Sequence, residues 1–184
     1  MKSKCKLYKL KELLSHVVDN RGKTPPVSND GFDLLEVNAV SEIWKFPQYQ
    51  VVRKHVSEEV YNTWFRSGHP IEGDILVPTV GTLGAVAYMN KNNCCIAQNI
   101  IALRANEEVC DSNYLYYILC NPTTRKSLLN LDIGGVQPSI KVPHLLELEL
   151  MLPDVDTQKK ISKVLSLLDD KIALNTELNN NLVA

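Results

Sequence analysis

The sequence has no apolar stretch near the ~20 residues that a membrane-spanning helix needs. Lys9, Lys11 and Glu12 also interrupt any run near its start that could act as an export signal. Its five cysteines (Cys5, Cys94, Cys95, Cys110 and Cys120) are odd in number and lack C-x-x-C spacing. That argues against a disulfide framework or a zinc site and fits buried thiols in a reducing cytoplasm. The four histidines, His16, His55, His69 and His144, stand singly, so no metal-ligand cluster is expected. Charge of either sign is not in excess: the formal net charge is −1, which announces no polyanion partner. Glycine and proline are absent from Asp154 to the end. With both helix breakers gone, one uninterrupted helix is the natural reading of that segment.

The charge that is present is unevenly placed. Residues 1–26 carry Lys2, Lys4, Lys6, Lys9, Lys11, Arg21 and Lys23 against Glu12 and Asp19. Residues 147–184 carry seven acidic side chains against Lys159, Lys160, Lys163 and Lys171. A basic front and an acidic tail point to two different partners. The competing explanation is the solvated faces of an ordinary protein. At 184 residues the chain can bury one good core, or one domain plus an arm.

Up to about residue 152 the pattern is an irregular mixture. Leu10, Leu13, Leu14, Val17 and Val18 have helical spacing, stopped by Asn20-Arg21-Gly22. Arg21-Gly-Lys-Thr-Pro-Pro-Val is a basic loop held extended before each proline. Leu34–Val37 and Tyr49–Val52 read as short strands, the second followed by Arg53, Lys54 and His55. Ser57 can cap a helix with Glu58 and Glu59 in its first turn. Gly73 to Tyr88 reads as two strands joined by a glycine-containing turn at Gly81-Thr-Leu-Gly84. Further strands are expected at Cys94–Ala97 and Asn99–Leu103. A helix capped by Asp111 or Ser112 should stop at Pro122, and a second should run from Thr124 to Leu131. Gly134 to Lys141 reads as a loop, Leu148–Leu152 as a last strand, and no internal repeat is visible.

Beyond that, Ile161, Leu165, Leu168 and Ile172 repeat at alternating four- and three-residue steps, which continue through Asn175 and Asn179 to Leu182, with Leu174 and Leu178 on an adjacent stripe. Such a face needs something to pack on, and an asparagine in it can fix register and partner number. The fold class is therefore α+β: a mixed domain of short twisted strands over residues 1–152, then a coiled-coil-type helix over 153–184. Projection of that helix is favoured over folding back on its own domain.

Three patterns that imitate enzymes fail on chemistry. Asn121-Pro122-Thr-Thr lacks the second proline and the aromatic of an adenine-holding methyltransferase loop. Gly81-Thr-Leu-Gly84 lacks the third glycine and distal acid of a dinucleotide fingerprint. Asp154 and Asp169-Asp170 lie too far apart along one helix to share a metal. No catalytic constellation is expected.

Four segments in order give the chain a resemblance. They are Asp19-Asn-Arg-Gly-Lys-Thr-Pro-Pro, Ile71-Glu-Gly-Asp-Ile-Leu-Val-Pro-Thr-Val-Gly-Thr-Leu-Gly, Gly134-Gly-Val-Gln-Pro-Ser-Ile, and Leu150-Met-Leu-Pro-Asp-Val-Asp-Thr-Gln leading into the helix. In this order they make the chain similar to one half of the specificity subunit of type I restriction–modification systems. The resemblance implies a target-recognition domain for double-stranded DNA and a spacer helix that docks methyltransferase and restriction subunits. S-adenosylmethionine and ATP with magnesium would be bound by those partners and not by this chain. The usual Glu-Gln at the helix start reads Thr157-Gln158 here. A single half implies pairing with a second half-subunit or a second copy through Ile161, Leu165, Leu168, Ile172, Asn175, Leu178, Asn179 and Leu182.

Phosphate contacts supply affinity and base contacts supply specificity. The candidates for both are Arg21 and Lys23, Arg53 and Lys54, Thr79 and Thr82 beside the glycine turn, and Gln137, Ser139 and Lys141. For Trp44 and Tyr49, core packing outweighs stacking at DNA. Two other classes compete: a helix-mediated protein-interaction module without DNA binding, and a fragment of a methyltransferase or nuclease fusion.

Overall fold

The computed structural model describes residues 5–183, with the side chains at 177 and 180–183 outside the described set. A four-stranded antiparallel sheet forms the centre. Its order is β2 (Leu14–Val18), β8 (Ile100–Ala105), β5 (Ile75–Pro78) and β6 (Ala87–Tyr88). Beside it stands a three-stranded sheet of β4 (His55–Val56), β3 (Phe32–Leu35) and β7 (Cys94–Ile96), in which β3 and β7 run parallel. A third, two-stranded ribbon pairs β1 (Lys6–Lys9) with β9 (Glu149–Leu152). β8 and β5 are the buried heart of the fold. Their near-continuous apolar composition, rather than an alternating one, matches burial on both faces.

Helices cover one face. α2 (Ser112–Cys120) is capped by Asp111, whose carboxylate accepts from Tyr114 N at 2.8 Å. Leu115 and Leu119 of α2 are fully buried in a cluster with Ile75, Ile101 and Leu103. α1 (Glu58–Thr63) is capped by Ser57, and the glutamates of its first turn favour its positive end. Pro122 does more than stop α2: it opens α3 (Pro122–Leu129), with Asn121 closing one helix and capping the next.

Several local expectations are corrected. Leu10–Val18 is not a helix but one 3-10 turn (Leu10–Leu13) followed by β2. Leu10 and Leu13 satisfy helical spacing within that turn, and Val17 and Val18 then pair with Leu103 and Ala102 of β8. Tyr49–Val52 is likewise a short 3-10 turn (Tyr49–Val51), closed by bonds between near neighbours instead of a ladder. The strand expected at Leu34–Val37 lies slightly earlier, as β3, and gives way to a turn at Val37–Ala39. A five-residue helix, α4 (Val142–Leu146), with proline in its first turn, was not expected.

The last helix, α5 (Val155–Val183), is 29 residues long, about 43 Å at the usual rise. Asp154 receives Thr157 N at 2.9 Å and the Thr157 hydroxyl at 3.0 Å, so threonine contributes to the start of the helix through its side chain. Among the described residues no helix is long and apolar enough to cross a membrane.

Gly31 shows how tightly the second sheet is built. It sits at φ +115°, and an added Cβ would lie 2.3 Å from the Val56 carbonyl oxygen. Both the left-handed backbone and the contact forbid a side chain. Gly31→Ala is expected to cost about 3 kcal/mol. Urea melts of the two proteins would check it, and equal midpoints would refute the tight approach of β3 to β4.

Candidate nucleic-acid interface and helix dock

β2 and β5 lie on either side of β8 and are both antiparallel to it, so they run in the same direction. The loop after β2 and the turn after β5 therefore leave the sheet at one end. The same end receives the end of β3, because Ala97 N bonds Leu35 O and Asn99 O accepts from Thr79 N at 2.8 Å. Sheet topology thus gathers segments distant in sequence.

The glycine turn and the Gln-Pro-Ser loop form one unit. Val80 bridges Ser139, Gly81 N donates to Pro138 O at 3.0 Å, and Ile140 N donates to Thr79 O at 2.9 Å. Gly81, at φ +89°, leaves room for Gln137: an added Cβ would stand 3.7 Å from Gln137 Nε2 and 3.8 Å from Val37. Asp132 ties the loop at its base, accepting from Ser139 N at 2.8 Å and Gly134 N at 3.2 Å. Val136 is thereby held fully exposed at the tip. Thr82, Gln137 and Lys141 are exposed and Ser139 is half-buried. Thr79 differs from these: it is buried, and its hydroxyl is spent on Asn99 O at 3.2 Å, so it braces the turn.

The other cations stand in distinct settings. Lys54 pairs with Glu36 at 2.7 Å, next to Val37 and hence beside the glycine turn. Arg53 is exposed, with its guanidinium on the carbonyls of Gln50 and Val52. Arg21 is half-buried and grips Asp19 through Nε and Nη2, each at 2.8 Å. That bond lowers the Asp19 pKa and raises that of Arg21, so the charge of Arg21 is largely answered inside the loop. Lys23 is exposed and, among the described residues, meets no carboxylate.

Arg66, which sequence reasoning missed, stands by this loop and donates to Arg21 O at 3.2 Å. It follows α1 without any motif, so only the folded contact reveals it. Trp44 is exposed, against the core position expected for it, while Tyr49 is half-buried with its hydroxyl on Asn90 Oδ1 at 2.9 Å.

The first half of α5 is docked. Gln158 is fully buried: Oε1 accepts from Asp111 N at 3.0 Å, and Nε2 donates to Pro153 O at 2.9 Å and Val109 O at 3.2 Å. Farther along, Lys45 reaches in from the 41–47 strap. It donates to Asn113, Tyr117 and Ser166 at 3.0–3.2 Å, and Asp169 accepts from the Tyr117 hydroxyl at 2.6 Å. Burial lowers the Lys45 pKa, against the pull of Asp169 and Asp170. The rings of Phe46, Tyr88, Tyr116 and Tyr117 lie 4.9–5.8 Å from its ammonium and soften that burial.

Ile161 and Leu165 face a groove of about 560 Å³ bounded by Leu7, Ile118, Leu150 and Met151. Past Asp169, among the described residues, no side-chain hydrogen bond ties the helix to the domain. Leu168 and Ile172 are 53% and 62% exposed, and Asn175, Leu178 and Asn179 are exposed too. The side chain of Leu182 lies outside the described residues. Among the described residues no cluster of His, Cys, Asp and Glu could hold a metal ion.

Loops braced at one end of a sheet, with a docked helix running on past the domain, form an architecture built for recognition. The chain belongs to the family described as the type I restriction modification DNA specificity domain, whose pattern matches residues 36–184. It is 28% identical over 93 residues to the HindI specificity subunit of Haemophilus influenzae, covering 50% of this chain and 20% of that protein. It is 33% identical over 101 residues to the MjaIX specificity subunit of Methanocaldococcus jannaschii, covering 55% of this chain and 23% of that one. The chain thus matches about a fifth of the length of these curated relatives.

Among solved structures, the S subunit from M. genitalium superposes with a TM-score of 0.65 at 17% identity, over 98% of this chain and 44% of that one. The HsdS subunit of Thermoanaerobacter tengcongensis gives 0.66 at 17%, over 97% and 40%. These two likenesses establish the fold.

Proposed function

We propose that this chain is a non-catalytic DNA-recognition half-subunit, acting in the cytoplasm, that pairs through α5 with a second copy or another half. The paired helices would act as a coiled-coil spacer between two recognition domains, residues 1–152 forming the domain and 153–184 the spacer. Methyltransferase and restriction subunits would dock on this assembly, bringing S-adenosylmethionine and ATP with magnesium, while the two domains select a split target in double-stranded DNA.

The observation that carries this reading is the free half of α5. Its apolar side chains Ile172, Leu174 and Leu178 stand exposed beyond the last tie to the domain, and Leu168, just before that tie, is exposed too. Burying such a row is worth roughly 1.5–3 kcal/mol per fully covered side chain, so a second helix is the natural cover. Family membership supports the assignment to a DNA specificity component. On the DNA side, Lys54, Thr82, Gln137 and Lys141 would meet the duplex first, with Arg53 and Ser139 beside them. Gln137 has the bidentate geometry that suits adenine. Two copies about a two-fold axis would select a palindromic split sequence.

Light scattering is expected to give a dimer, and replacing both Leu168 and Ile172 by glutamate is expected to give a folded monomer whose melting temperature no longer rises with protein concentration. A wild-type monomer at high concentration would refute self-pairing. For the DNA reading, methylome sequencing with and without the gene should reveal loss of one split adenine-methylated motif. No change in methylation would count against it.

A further inference from the structure

One pocket near this end of the sheet is not explained by the glycine turn or the helix. It is bounded by Asn20, Gly22, Lys23, Thr63, Trp64 and Arg66, and holds about 400 Å³, within the range of small-ligand sites. We propose that it seats one sugar-phosphate unit of the DNA backbone, an anchor that holds the domain on the duplex without reading sequence. This rests on the DNA-recognition reading above and assigns that reading a second, separate contact.

The walls are braced rather than loose. Asn20 spends both ends of its amide on the opposite wall: Nδ2 donates to Gly68 O at 2.8 Å and Oδ1 accepts from Ser67 N at 2.8 Å. The Ser67 hydroxyl donates to Asp19 O at 2.7 Å, and Arg66 donates to Arg21 O at 3.2 Å. Asn20 is therefore wall, not reader. The charge in the pocket is positive, because its lining holds no carboxylate and Asp19 beside it is engaged by Arg21 through two bonds of 2.8 Å. Lys23 and Arg66 remain, both exposed and, among the described residues, neither in an ion pair.

Trp64 supplies what surface lysines alone would not. Its half-buried indole offers an apolar wall for a deoxyribose, and its N–H, among the described residues, has no acceptor of its own. Two cations and an indole lining one concavity match a phosphodiester flanked by sugar, while the Thr63 hydroxyl, which donates to Glu59 O at 2.7 Å, is part of the wall. A backbone is the same whatever the bases, so such a site adds affinity and not specificity.

The test uses the full chain with Trp44→Phe, which leaves Trp64 as the sole tryptophan of two. Random duplex DNA should change Trp64 emission, while inorganic phosphate at matched ionic strength should not. In a salt series, Lys23→Ala with Arg66→Ala should flatten the slope of log affinity against log salt by about 1.8, and each single variant by about 0.9. The loss should be equal for all sequences, whereas Gln137→Ala should alter preference among sequences and keep the slope. Among the described residues Lys23 makes no ion pair or side-chain hydrogen bond, so its variant is expected to stay folded and informative. Wild-type binding with an unchanged slope in the double variant, or a silent Trp64, overturns the anchor while leaving the DNA reading intact. A Trp64 response to phosphate alone overturns the backbone assignment. Absence of salt-sensitive binding by the wild type overturns both.

Discussion

Arg104→Met is expected to destabilise the protein by about 3 kcal/mol, and so to lower its melting temperature by roughly 6–12 °C at this chain length. Asp74 opens the segment that becomes β5 and is 1% exposed. Arg104 reaches it from β8 with Nε and Nη2 on the two carboxylate oxygens, both at 2.9 Å. A third donor, Ile71 N, stands at 2.9 Å. Methionine keeps most of the volume but leaves a buried carboxylate with a single donor. Breaking one side of such a pair costs more than the pair contributes, because the remaining charge stays desolvated. The side chain of Arg104 is 30% exposed, so water can reach the gap, which places the effect at the low end of the usual 3–5 kcal/mol. Arg104→Met combined with Asp74→Asn should recover part of the loss. Urea denaturation of the two variants decides it, and a single variant as stable as wild type would show that the pair is not a structural tie.

Gln158→Leu comes next, with an expected loss of about 2–3 kcal/mol. The cost arises at three backbone groups and not at the glutamine. Asp111 N, Pro153 O and Val109 O all lose their partner inside a dry site, since Gln158 is fully buried. Each orphaned group costs on the order of 1–3 kcal/mol before relaxation, and leucine returns some of that by apolar burial. Gln158→Glu would instead bury a charge facing two carbonyls and should be worse. Hydrogen exchange is the sharper readout. In Gln158→Leu the amides of the first turns of α5 and of the α2 cap should exchange faster, while β5 and β8 stay protected. Faster exchange across the whole chain in equal measure would contradict a local role.

What could be read in the sequence divides along a physical line. Elements announced by local chemistry were legible: the Ser57 and Asp111 caps, the glycine turn at Gly81, and the long helix without glycine or proline. The α+β class followed from those. Where a short apolar cluster suits two local structures, distant pairing decided. Leu10 to Val18 is the case in point, since only β8 makes a strand of its second half.

At the interface, the association of Gly81 with Gln137 and Pro138 joins segments about 56 residues apart, and the motifs named both without revealing that they touch. Arg21 looked like a free cation because Asp19 two residues earlier gave no sign of folding back on it. Arg66 and the Lys45 cage carried no signal at all. Their neighbours come from four separate stretches of chain, and nothing in single-residue chemistry marks such a meeting.

The ribbon of β1 and β9 also sets the order in which this protein can assemble. Lys6 faces Leu152 and Lys9 faces Glu149, so the first described strand pairs with the last strand before the helix. Until residues 149–152 emerge, β1 lacks the strand that pairs with it among the described residues; β2, by contrast, can pair once β8 is made. Pairing across such a separation is slow because the loop entropy is lost before the contacts form. Closure of the ribbon is therefore a late event of synthesis. The root of α5, which follows it directly and hangs on Gln158, can be seated only after that. A nascent chain that stalls before residue 149 presents an unpaired strand, whereas one that reaches the helix has every described strand already made.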